Sequence, residues 1–403
     1  MDGREGYYVK IAIVTPVYTK ESSWGPVTVI RNVMRILKNK GYHFVVYACK
    51  ATSPNKLSEL PSMESIEGIP VKRYKVFFHI GGYYITPTMF LDLMRNDFDI
   101  IHAHCARSFQ FDLAALVSRF KKTPLIVTAH GTLASYIKEM SPNPILRYLN
   151  VLHNSILRMS LNQATICTAL SELEENQYRH IFKVPQNKIK IIPNGINLSL
   201  YFKPAPKGIF KEKYGVKDSQ LILYLGRINK VKGIEFLIKS FAFLVNNLKY
   251  DEAALVLAGP DDGYLQQARY LSRSLGIEEK VVFTGFLSEF DKVCAYADST
   301  VVVHPEAFNV TLIAPLEAAA TGKTVILARG NYLGKVAEEM GFGFSVQYGD
   351  TESMAHLLHK VLHENSVTAE MGRKGREFVL KNLSWTNIAE EYEKIYLKAL
   401  KSR

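Results

Sequence analysis

Short apolar runs rich in β-branched residues alternate with helical patterns along most of this 403-residue chain, and this alternation limits the fold more than any other feature. Such runs are typical of buried strands, and strands that alternate with helices form right-handed βαβ units. The pattern therefore predicts a parallel sheet covered by helices on both faces. In the first half, strands are expected at Lys10–Thr15, His43–Ala48, Asp99–Ala103, Pro124–Thr128, Ala164–Ala169 and Ile189–Ile192.

The alternation stops and then restarts, which predicts two domains. Pro204–Lys207 contains two prolines without periodicity and is interpreted as the linker. Helical patterns in the second half include Ile234–Asn246, Thr311–Thr321 and a final one at Trp385–Lys401. Periodicity leaves open whether the final helix covers the second domain or returns to the first. Strands of the second series are expected at Leu221–Leu225, Ala254–Ala258, Val281–Thr284, Thr300–Val303, Thr324–Leu327 and Gly343–Val346.

Several enzyme classes are disfavoured because their motifs are missing from the sequence. The first strand leads into Pro16-Val17-Tyr18 instead of a GxGxxG turn, and neither a P-loop nor a GxSxG elbow is present. Dehydrogenases, P-loop kinases and the usual hydrolases are therefore disfavoured. The four cysteines lack metal-ligand spacing, and no apolar run reaches about 18 residues. These features favour a cytoplasmic protein with reduced thiols and no transmembrane helix.

Charge is unevenly distributed along the chain. The formal net charge is +12, and residues 1–200 contribute +10 of it, with 24 Lys/Arg against 14 Asp/Glu. A basic first half favours an anionic partner, either phosphates or an acidic membrane surface, with solubility as the alternative interpretation. Nucleic acid is not expected as a partner, because the sequence has no recognisable binding module and no basic-aromatic stripe.

A phosphate-binding loop is predicted where the strand Leu221–Leu225 runs into Gly226–Gly233. This loop carries Arg227, Lys230 and Lys232, and a helix follows it. At the carboxyl end of a parallel strand, such cations can hold a diphosphate and neutralise it as a leaving group. A solvated basic loop is the alternative interpretation.

A second anion site is predicted after the strand that ends at His304-Pro305, where a polar loop leads into a helix near residue 310. The free N–H groups of a helix N-terminus attract anions. Glu317 is expected about two turns into this helix among small residues, where a carboxylate needs a partner. It either accepts hydrogen bonds from the vicinal hydroxyls of a ribose or forms an ion pair with Arg227 or Lys232.

In the first half, His130 is the favoured functional residue. His130-Gly131 follows the expected strand Pro124–Thr128, and ligands bind just beyond such strand ends. His102 and His104 follow another strand and are interpreted as structural groups.

Eight short motifs occur in the order and spacing of one family. Each is weak alone, whereas their order is specific. The chain resembles the retaining glycosyltransferases of family 4, the group 1 transferases, over nearly its whole length. The motifs are Gly25 before the first helix, Lys40-Gly41-Tyr42-His43, Thr128-Ala129-His130-Gly131, Ile192-Pro193-Asn194-Gly195-Ile196, Leu225-Gly226-Arg227 with Lys232-Gly233, Leu257-Ala258-Gly259-Pro260, Phe283-Thr284-Gly285-Phe286 and Pro315-Leu316-Glu317-Ala318.

The resemblance implies the α/β fold called GT-B, in which two Rossmann-like, doubly wound parallel-sheet domains face a central cleft. It assigns residues 1–203 to an acceptor-side domain, 208–382 to a nucleotide-sugar-binding domain, and 383–403 to a helix that crosses back. The implied activity is metal-independent, cofactor-free hexosyl transfer with retention. The donor would be a UDP-, GDP- or ADP-sugar, and the acceptor a glycan, a lipid-linked or another hydroxyl. Together with the basic first half, this favours a cytoplasmic enzyme in peripheral contact with the inner face of an anionic membrane.

The resemblance also implies the site residues. Arg227 and Lys232 would bind the diphosphate and stabilise it as it leaves. Glu317 would accept hydrogen bonds from the ribose hydroxyls, and His130 would face the donor sugar; these four form the expected catalytic set. The other donor-binding residues are Gly25, which lets the backbone approach the phosphates; Val310, Thr311 and Leu312, whose N–H groups face them; Gly285 and Phe286 near the base; and Asn309.

Two positions depart from the family pattern. The family's paired glutamates are separated by seven residues, which places the first one at Asn309. Asparagine keeps hydrogen-bonding capacity without the charge, so a changed donor-sugar preference is expected in place of lost activity. Glu306 can replace the missing glutamate only if the loop is reshaped. Trp24 stands where the first glycine of a pair is common.

Two other functions are compatible with the sequence. A nucleotide-sugar epimerase or phosphorylase would keep the fold, but would need an acid/base pair or phosphate site that is not recognisable. A non-catalytic nucleotide- or sugar-binding protein is consistent with Asn309.

Overall fold

The computed structural model describes residues 8–22, 24–53, 56–80, 82–133, 144–201, 205–306, 313–330 and 332–402. It divides into two compact units: unit 1 comprises Met1–Gly195 and Trp385–Arg403, and unit 2 comprises Ile196–Ser384. The first boundary falls before residue 203, because Ile196 and Tyr201 are buried in the core of unit 2. Pro204, in the expected linker, lies outside the described residues.

Unit 1 contains the first twelve strands of the chain. They are β1 (Lys10–Val14), β2 (His43–Cys49), β3 (Ala51–Ser53), β4 (Lys56–Leu57), β5 (Met63–Ile66), β6 (Ile69–Tyr74), β7 (Phe78–Ile80), β8 (Tyr83–Ile85), β9 (Ile100–His104), β10 (Leu125–Thr128), β11 (Ile166–Ala169) and β12 (Ile189–Ile191). Eight of them form one sheet in the order β12-β11-β10-β9-β1-β2-β6-β5, and β3-β4 and β7-β8 form two small ribbons. Neighbours in the large sheet are parallel except β5 and β6.

The central strands of this sheet are apolar along their whole length because both faces of the sheet are covered. Strands β9, β10 and β11 are buried at every residue. The sequence analysis missed β3 to β8, since these short strands lack a continuous apolar run and are partly exposed. The predicted parallel sheet is present, with one antiparallel addition: β5 lies at the edge and pairs antiparallel with β6.

The helices of unit 1 that precede unit 2 are α1 (Gly25–Lys38), α2 (Thr88–Arg95), α3 (Phe109–Lys121), α4 (Pro144–Gln163) and α5 (Glu172–Asn176). Helix α1 buries Val29, Ile30 and Val33, which share one face at helical spacing. Its N-cap residue Trp24 provides no side-chain hydrogen bond to the first turn. Short 3₁₀ or π turns follow at Gln177–Ile181, Gln186–Lys188, Leu198–Leu200, Lys230–Lys232 and Glu278–Lys280.

Unit 2 is a six-stranded, wholly parallel sheet with helices between the strands. Its strands are β13 (Gln220–Leu225), β14 (Ala253–Ala258), β15 (Val281–Gly285), β16 (Val301–His304), β17 (Thr324–Arg329) and β18 (Gly343–Gln347), in the order β15-β14-β13-β16-β17-β18. Its helices are α6 (Ile209–Tyr214), α7 (Ile234–Asn246), α8 (Leu265–Ser274), α9 (Glu289–Asp298), α10 (Ala314–Ala320), α11 (Tyr332–Glu339), α12 (Thr351–His363) and α13 (Asn365–Asn382).

The last helix, α14 (Trp385–Lys401), belongs to unit 1 and packs against α1. It buries Ile388, Tyr392 and Tyr396 in the core of that unit. The Tyr396 hydroxyl lies 2.8 Å from Nδ1 of His102, which is buried on β9. Apolar burial and one buried hydrogen bond therefore attach the C-terminal segment to unit 1.

In each large sheet the strand order reverses beside the first strand of the unit. Strand β1 lies between β2 and β9, and β13 lies between β14 and β16. Ligands of doubly wound sheets bind beyond the carboxyl ends of the strands at such a reversal. The fold therefore directs attention to the loops after β13 and β16 in unit 2 and to the equivalent edge of unit 1. Within the described part of the chain, no helix has the length and apolar character needed to cross a membrane.

Candidate functional site

The loop after β13 is a tight, cation-bearing turn that leads directly into α7. The Tyr224 hydroxyl donates to the Arg227 carbonyl at 3.0 Å, and the Asn229 side chain accepts from Val231 N–H at 3.0 Å. Gly233 ends the turn with φ +71°, and a Cβ there would lie 2.7 Å from the Pro305 carbonyl oxygen. Glycine is required at this position because the loop after β16 passes so close.

Arg227 projects from this loop and pairs with a carboxylate from the neighbouring strand. Its guanidinium donates to Asp262 Oδ2 at 2.7 Å, and the Asn229 amide donates to the same oxygen at 3.0 Å. Asp262 follows β14, which lies beside β13. The Arg227 side chain is 62 % exposed, so a ligand can reach it.

Lys232 forms an ion pair with Glu306, which follows β16 on the other side of β13. The side chains are only 18 % and 5 % exposed, so water screens this pair weakly. Beside them, the His304 ring packs 5.3 Å from the Tyr224 ring. Burial, and then the Lys232 charge, lower the pKa of His304 to about 3, so this imidazole is neutral at physiological pH.

Glu317 lies in the first turn of α10 as the structure describes it, and the expected helix start near residues 310–311 lies outside the described residues. The described helix begins at Ala314 because Pro315 occupies a first-turn position, where proline is favoured. The Glu317 carboxylate accepts from Lys292 Nζ at 2.8 Å and from the Tyr296 hydroxyl at 3.0 Å. The interpretation of Glu317 as a partner of Arg227 or Lys232 is therefore wrong: its cation is Lys292, on α9.

The loops after β14 and β15 lie against the cationic loop. A Cβ on Gly259 would lie 1.9 Å from the Gly226 carbonyl oxygen, so these two loops are in direct backbone contact. The Gly259 N–H donates to the Gly285 carbonyl at 2.9 Å, which joins the β15 loop to the same edge. Phe286, which follows, is 78 % exposed and offers an aromatic face to solvent.

Four expected donor-binding residues, Asn309, Val310, Thr311 and Leu312, lie outside the described residues. Unit 2 otherwise places Arg227, Lys232, Gly285 and Phe286 at one carboxyl edge of its sheet. This edge can bind an anion through two cations and stack a planar ring on Phe286. Across the described residues, no group of three or more His, Cys, Asp or Glu could hold a metal ion.

In unit 1, His130 follows β10 and adopts a left-handed backbone with φ +56°. Its Nε2 lies 2.8 Å from Nδ1 of His104, and the two rings stack at 5.1 Å. Burial lowers the pKa of His130 to about 3, so its ring serves as a neutral hydrogen-bonding group. Gly25 begins α1, and no described atom lies within 4 Å of a Cβ placed on it. The chain itself therefore does not need glycine there.

Two arginines hold the loop that connects β1 to α1. Arg31 donates to the carbonyl oxygens of Thr19 and Lys20 at 2.7 and 2.8 Å. Arg73, buried on β6, donates from Nη2 to the Tyr18 carbonyl oxygen at 2.9 Å. The loop that presents Gly25 is thus fixed by side chains from two different elements.

Two family profiles match the chain in succession. The profile described as Glycosyltransferase Family 4 matches residues 25–200, and the one described as Glycosyl transferases group 1 matches residues 207–378. The chain is a family 4, group 1 glycosyltransferase. The family predicted from the motifs is confirmed.

Relatives of this glycosyltransferase include characterised synthases. It is 27 % identical over 362 residues to an uncharacterized glycosyltransferase of Methanocaldococcus jannaschii, covering 85 % of this chain and 88 % of the relative. It is 27 % identical to N-acetyl-alpha-D-glucosaminyl L-malate synthase of Bacillus anthracis, covering 76 % of each chain. It is 24 % identical to alpha-monoglucosyldiacylglycerol synthase of Streptococcus pneumoniae, covering 97 % and 86 %. These relatives do not favour the alternatives of an epimerase, a phosphorylase or a non-catalytic binder.

Solved structures confirm the predicted GT-B fold of this glycosyltransferase. Anabaena HepE in complex with UDP superimposes with a TM-score of 0.78 at 16 % identity, over 97 % of this chain and all of HepE. Sucrose-phosphate synthase from Thermosynechococcus elongatus superimposes with a TM-score of 0.74 at 20 % identity, over 98 % of this chain and all of that one. At these identities the likeness concerns the fold.

Sequence reasoning missed the charged partners of Arg227 and Glu317 in this glycosyltransferase. Asp262, which pairs with Arg227, and Lys292, which pairs with Glu317, were not expected, because each lies in a different segment from the residue it meets. A signal for Asp262 exists only once the strand order is known: an acidic residue in the loop after a strand can reach the loop after the neighbouring strand. Glu306 was expected to matter only if the loop is reshaped, yet its carboxylate already meets Lys232.

Proposed function

We propose that this chain is a retaining, metal-independent glycosyltransferase that transfers a hexose from a nucleoside diphosphate sugar to a hydroxyl acceptor. The observation that supports this most strongly is the position of Arg227 and Lys232 at the strand-order reversal of unit 2. Two cations in a short loop there match the charge of a diphosphate and of no neutral ligand. Family membership makes the diphosphate part of a donor.

In this proposal unit 2 binds the nucleotide. Arg227 and Lys232 bind the diphosphate, Glu317 accepts from the ribose hydroxyls, and the exposed ring of Phe286 packs against the base near Gly285. Glu317 can do so while keeping Lys292 and Tyr296, since a carboxylate offers about four lone-pair sites. Val310, Thr311 and Leu312 remain proposed phosphate contacts through their N–H groups, and Asn309 a proposed sugar contact.

Unit 1 supplies the sugar and acceptor contacts in this proposal. His130 faces the donor sugar as a neutral imidazole, and Gly25 lets the first turn of α1 approach the phosphates. That turn has no capping side chain from Trp24, so its free N–H groups suit an anion. Glu306 takes the role of the first of the family's two paired glutamates. It can do so because its carboxylate already forms an ion pair with Lys232, which lies in the loop proposed to bind the diphosphate.

The chemistry is electrostatic stabilisation of the leaving diphosphate. As the glycosidic bond lengthens, negative charge accumulates on the diphosphate, and fixed cations stabilise that charge more in the transition state than in the bound donor. The acceptor hydroxyl attacks the anomeric carbon from the face that the diphosphate leaves, so the new C–O bond forms where the old one breaks and the anomeric configuration is retained. The hydroxyl proton passes to the departing diphosphate oxygen. These cations supply the charge neutralisation that a divalent ion supplies in other transferases.

Turnover of Arg227→Ala and Lys232→Ala tests the proposal. Each is expected to lower the rate by about a hundredfold or more, as for other lost transition-state charge partners. The control is Lys239→Ala, which removes a lysine from α7 that pairs with Glu235 on the helix surface. Turnover in both site variants equal to the control would contradict the assignment. Product anomers read by NMR test retention, and activity in excess EDTA tests metal independence.

The donor is proposed from a panel of UDP-, GDP- and ADP-sugars. HepE was solved with UDP, which makes UDP the first nucleotide to test. The acceptor is proposed to be a glycan or a lipid-linked hydroxyl, since one similar protein is an alpha-monoglucosyldiacylglycerol synthase and another an alpha-D-GlcNAc-diphosphoundecaprenol alpha-1,3-galactosyltransferase. Thermal unfolding against the panel tests the donor, because a ligand that binds only the folded state raises the midpoint.

An anionic membrane is proposed as a peripheral partner of unit 1. Helices α3 and α4 expose an apolar-basic surface, defined by the apolar residues Leu116, Phe120, Val151, Leu152, Ile156 and Met159 with the cations Arg119, Lys122 and Arg158. Arg119, Lys122 and Met159 line one shared hollow. Apolar side chains among cations match the interface of an anionic bilayer.

Vesicle co-sedimentation tests this surface. The wild type is expected to bind vesicles that contain phosphatidylglycerol and not neutral phosphatidylcholine vesicles. Phe120→Ser with Met159→Ser should release it, whereas Tyr270→Ser, an equally exposed aromatic of unit 2, should not. Equal binding to both vesicle types, or a concentration-dependent dimer in place of vesicle binding, would contradict the proposal.

A further inference from the structure

The turn after β10, formed by His130 and Gly131, has an energetically unfavourable backbone conformation. His130 has φ +56° and Gly131 has φ +78°, so two consecutive residues adopt the left-handed conformation. For a residue with a Cβ this conformation costs about 1 kcal/mol or more, and such residues concentrate at functional sites. Something in the structure must hold the turn in place.

The buried carboxylate of Glu174 holds the His130–Gly131 turn in place. Glu174, on α5 after β11, is completely buried, and its side chain accepts from Gly131 N–H and from Leu170 N–H, the latter at 2.8 Å. Strands β10 and β11 are neighbours in the sheet, so the carboxylate joins two adjacent loops at one edge. In the described part of the chain it forms no ion pair, and burial raises its pKa to about 7.

Glu174 is not needed to cap its own helix. The Ser171 hydroxyl already caps α5, and Ser171 and Glu174 have the spacing of a capping box. In a capping box the glutamate would bond the N–H of Ser171 itself. Here its oxygens instead reach Leu170, one residue earlier, and Gly131 in another loop. A buried carboxylate is expensive, so its use for this turn needs a reason beyond the helix.

The His130 ring is fixed from a second direction. His104, buried on β9, places its Nδ1 2.8 Å from His130 Nε2, and burial lowers the pKa of both histidines. Both rings are therefore neutral, with one nitrogen donating and the other accepting. The His130 nitrogen that His104 does not use is Nδ1. Glu174 thus fixes the backbone beside His130 while His104 fixes its ring.

We infer that Glu174 is a positioning residue: it holds the Gly131 N–H so that the His130 ring keeps the orientation in which it contacts the donor sugar. This inference rests on the proposed function for its consequence in transfer. Its structural part concerns unit 1 alone. Glu174 does not touch substrate, and it acts through the His130–Gly131 turn.

Hydrogen exchange tests the structural part without any substrate. Glu174→Gln leaves one carbonyl oxygen for the two N–H donors and turns an NH₂ toward the other, so protection of the Gly131 or the Leu170 amide should fall at least tenfold. Glu175→Gln is the control: Glu175 accepts from Gln186 instead, so both amides should keep their protection. Unchanged protection of both amides in Glu174→Gln would overturn the inference.

A double-mutant cycle tests the consequence for transfer. Hydrolysis of UDP-glucose, UDP-N-acetylglucosamine, GDP-mannose and ADP-glucose is measured for the wild type, Glu174→Gln, His130→Ala and the double variant. A misplaced contact costs up to about a hundredfold in kcat, with little change in KM for the donor. The double variant should be no slower than His130→Ala alone, since both changes remove one function. Multiplied losses would overturn the inference, whereas an inactive wild type would overturn the proposed function.

If Glu174→Gln does not fold, the wild type itself provides the test. The Gly131 amide ¹⁵N shift should titrate with a midpoint near 7 as the carboxylate ionises. The other titratable groups that face Glu174 are Cys105, Tyr178 and Tyr392, and burial raises the pKa of each, so they stay neutral there. A Leu170 shift that titrates while the Gly131 shift stays flat would overturn the inference, because both N–H groups donate to the same carboxylate.

Discussion

Replacing Gly233 by alanine should damage both the stability of unit 2 and its nucleotide site. Gly233 has φ +71°, and a Cβ would lie 2.7 Å from the Pro305 carbonyl oxygen and 2.9 Å from its carbon. Ordinary contacts to a Cβ begin near 3.4 Å, so the two loops must separate by several tenths of an ångström. Because Lys232 and Glu306 are the adjacent residues, their ion pair must shift as well.

The expected magnitude has two parts. Left-handed backbone costs alanine about 1 kcal/mol relative to glycine. Forcing atoms into a packed position costs about 1–3 kcal/mol more. Gly215→Ala separates the two parts, since Gly215 has φ +67° and no described atom lies within 4 Å of its Cβ position. We expect a loss of about 1 kcal/mol for Gly215→Ala and about 2–4 kcal/mol for Gly233→Ala.

Urea unfolding followed by two probes measures these losses. Far-UV circular dichroism reports on both units, whereas both tryptophans, Trp24 and Trp385, lie in unit 1. If the urea midpoint shifts when unfolding is followed by circular dichroism but not when it is followed by tryptophan fluorescence, the loss of stability belongs to unit 2. Calorimetric titration with UDP, GDP and ADP should show at least tenfold weaker binding for Gly233→Ala alone. Equal losses of stability and unchanged nucleotide affinity in both variants would refute the close approach as a determinant of the site.

Three further predictions follow from single residues. Gly25→Ala should leave the unfolding midpoint unchanged or higher, because nothing in the described chain opposes a Cβ there, while weakening donor binding measured by calorimetry. Glu317→Gln should cost about 2 kcal/mol of unfolding free energy through the lost charge facing Lys292. The same change should weaken the binding of UDP about tenfold. It should leave the binding of 2′,3′-dideoxyuridine diphosphate unchanged, because that nucleotide lacks the ribose hydroxyls. Because burial raises the pKa of Glu174 from 4.5 to about 7, the folded state binds the extra proton. The free energy of unfolding measured with urea should therefore fall as pH rises from about 5 to 7, by up to roughly 3 kcal/mol, a pH dependence that Glu174→Gln lacks.

Regular elements could be predicted from the sequence where burial makes the pattern continuous. The helices Ile234–Asn246 and Trp385–Lys401 have the expected bounds, because each presents a sustained apolar face. The segment between β2 and α2 was not predicted, since its short, partly exposed strands combine polar and apolar residues. The expected helix start near residues 310–311 lies outside the described residues, and the described helix begins at Ala314 with Pro315 in its first turn.

In the candidate site, too, the part that lies in one continuous segment could be predicted, and the contacts between distant segments could not. The Arg227–Lys232 loop could be predicted, because glycines bound it between a strand and a helix in one continuous segment. Its acidic partners could not, because they follow other strands and meet the loop only through sheet order. Strand order is a long-range property, and one sequence without an assembled sheet does not specify it.

Three of the proposed site residues are held in the same way. Arg227 is held by Asp262, Lys232 by Glu306, and the His130–Gly131 turn by Glu174. In each case the acid follows a strand adjacent in the sheet to the strand that precedes its partner. Parallel neighbours lie about 4.8 Å apart and end at the same edge, so a side chain from one loop reaches the next.

The two acids of unit 2, Asp262 and Glu306, should nevertheless respond differently to a bound diphosphate. The Arg227–Asp262 pair is exposed, and such pairs contribute about 0–1 kcal/mol, so phosphate can replace Asp262 at little cost. Lys232 has three donors and can keep Glu306 while it binds phosphate. Asp262→Asn should therefore leave nucleotide affinity within about twofold in a calorimetric titration. Glu306→Gln should change nucleotide affinity strongly, because Lys232, which is largely buried, loses the negative charge that orients its side chain. If Asp262→Asn changed nucleotide affinity more than Glu306→Gln, the exposure of an ion pair would not determine how much it contributes to nucleotide binding.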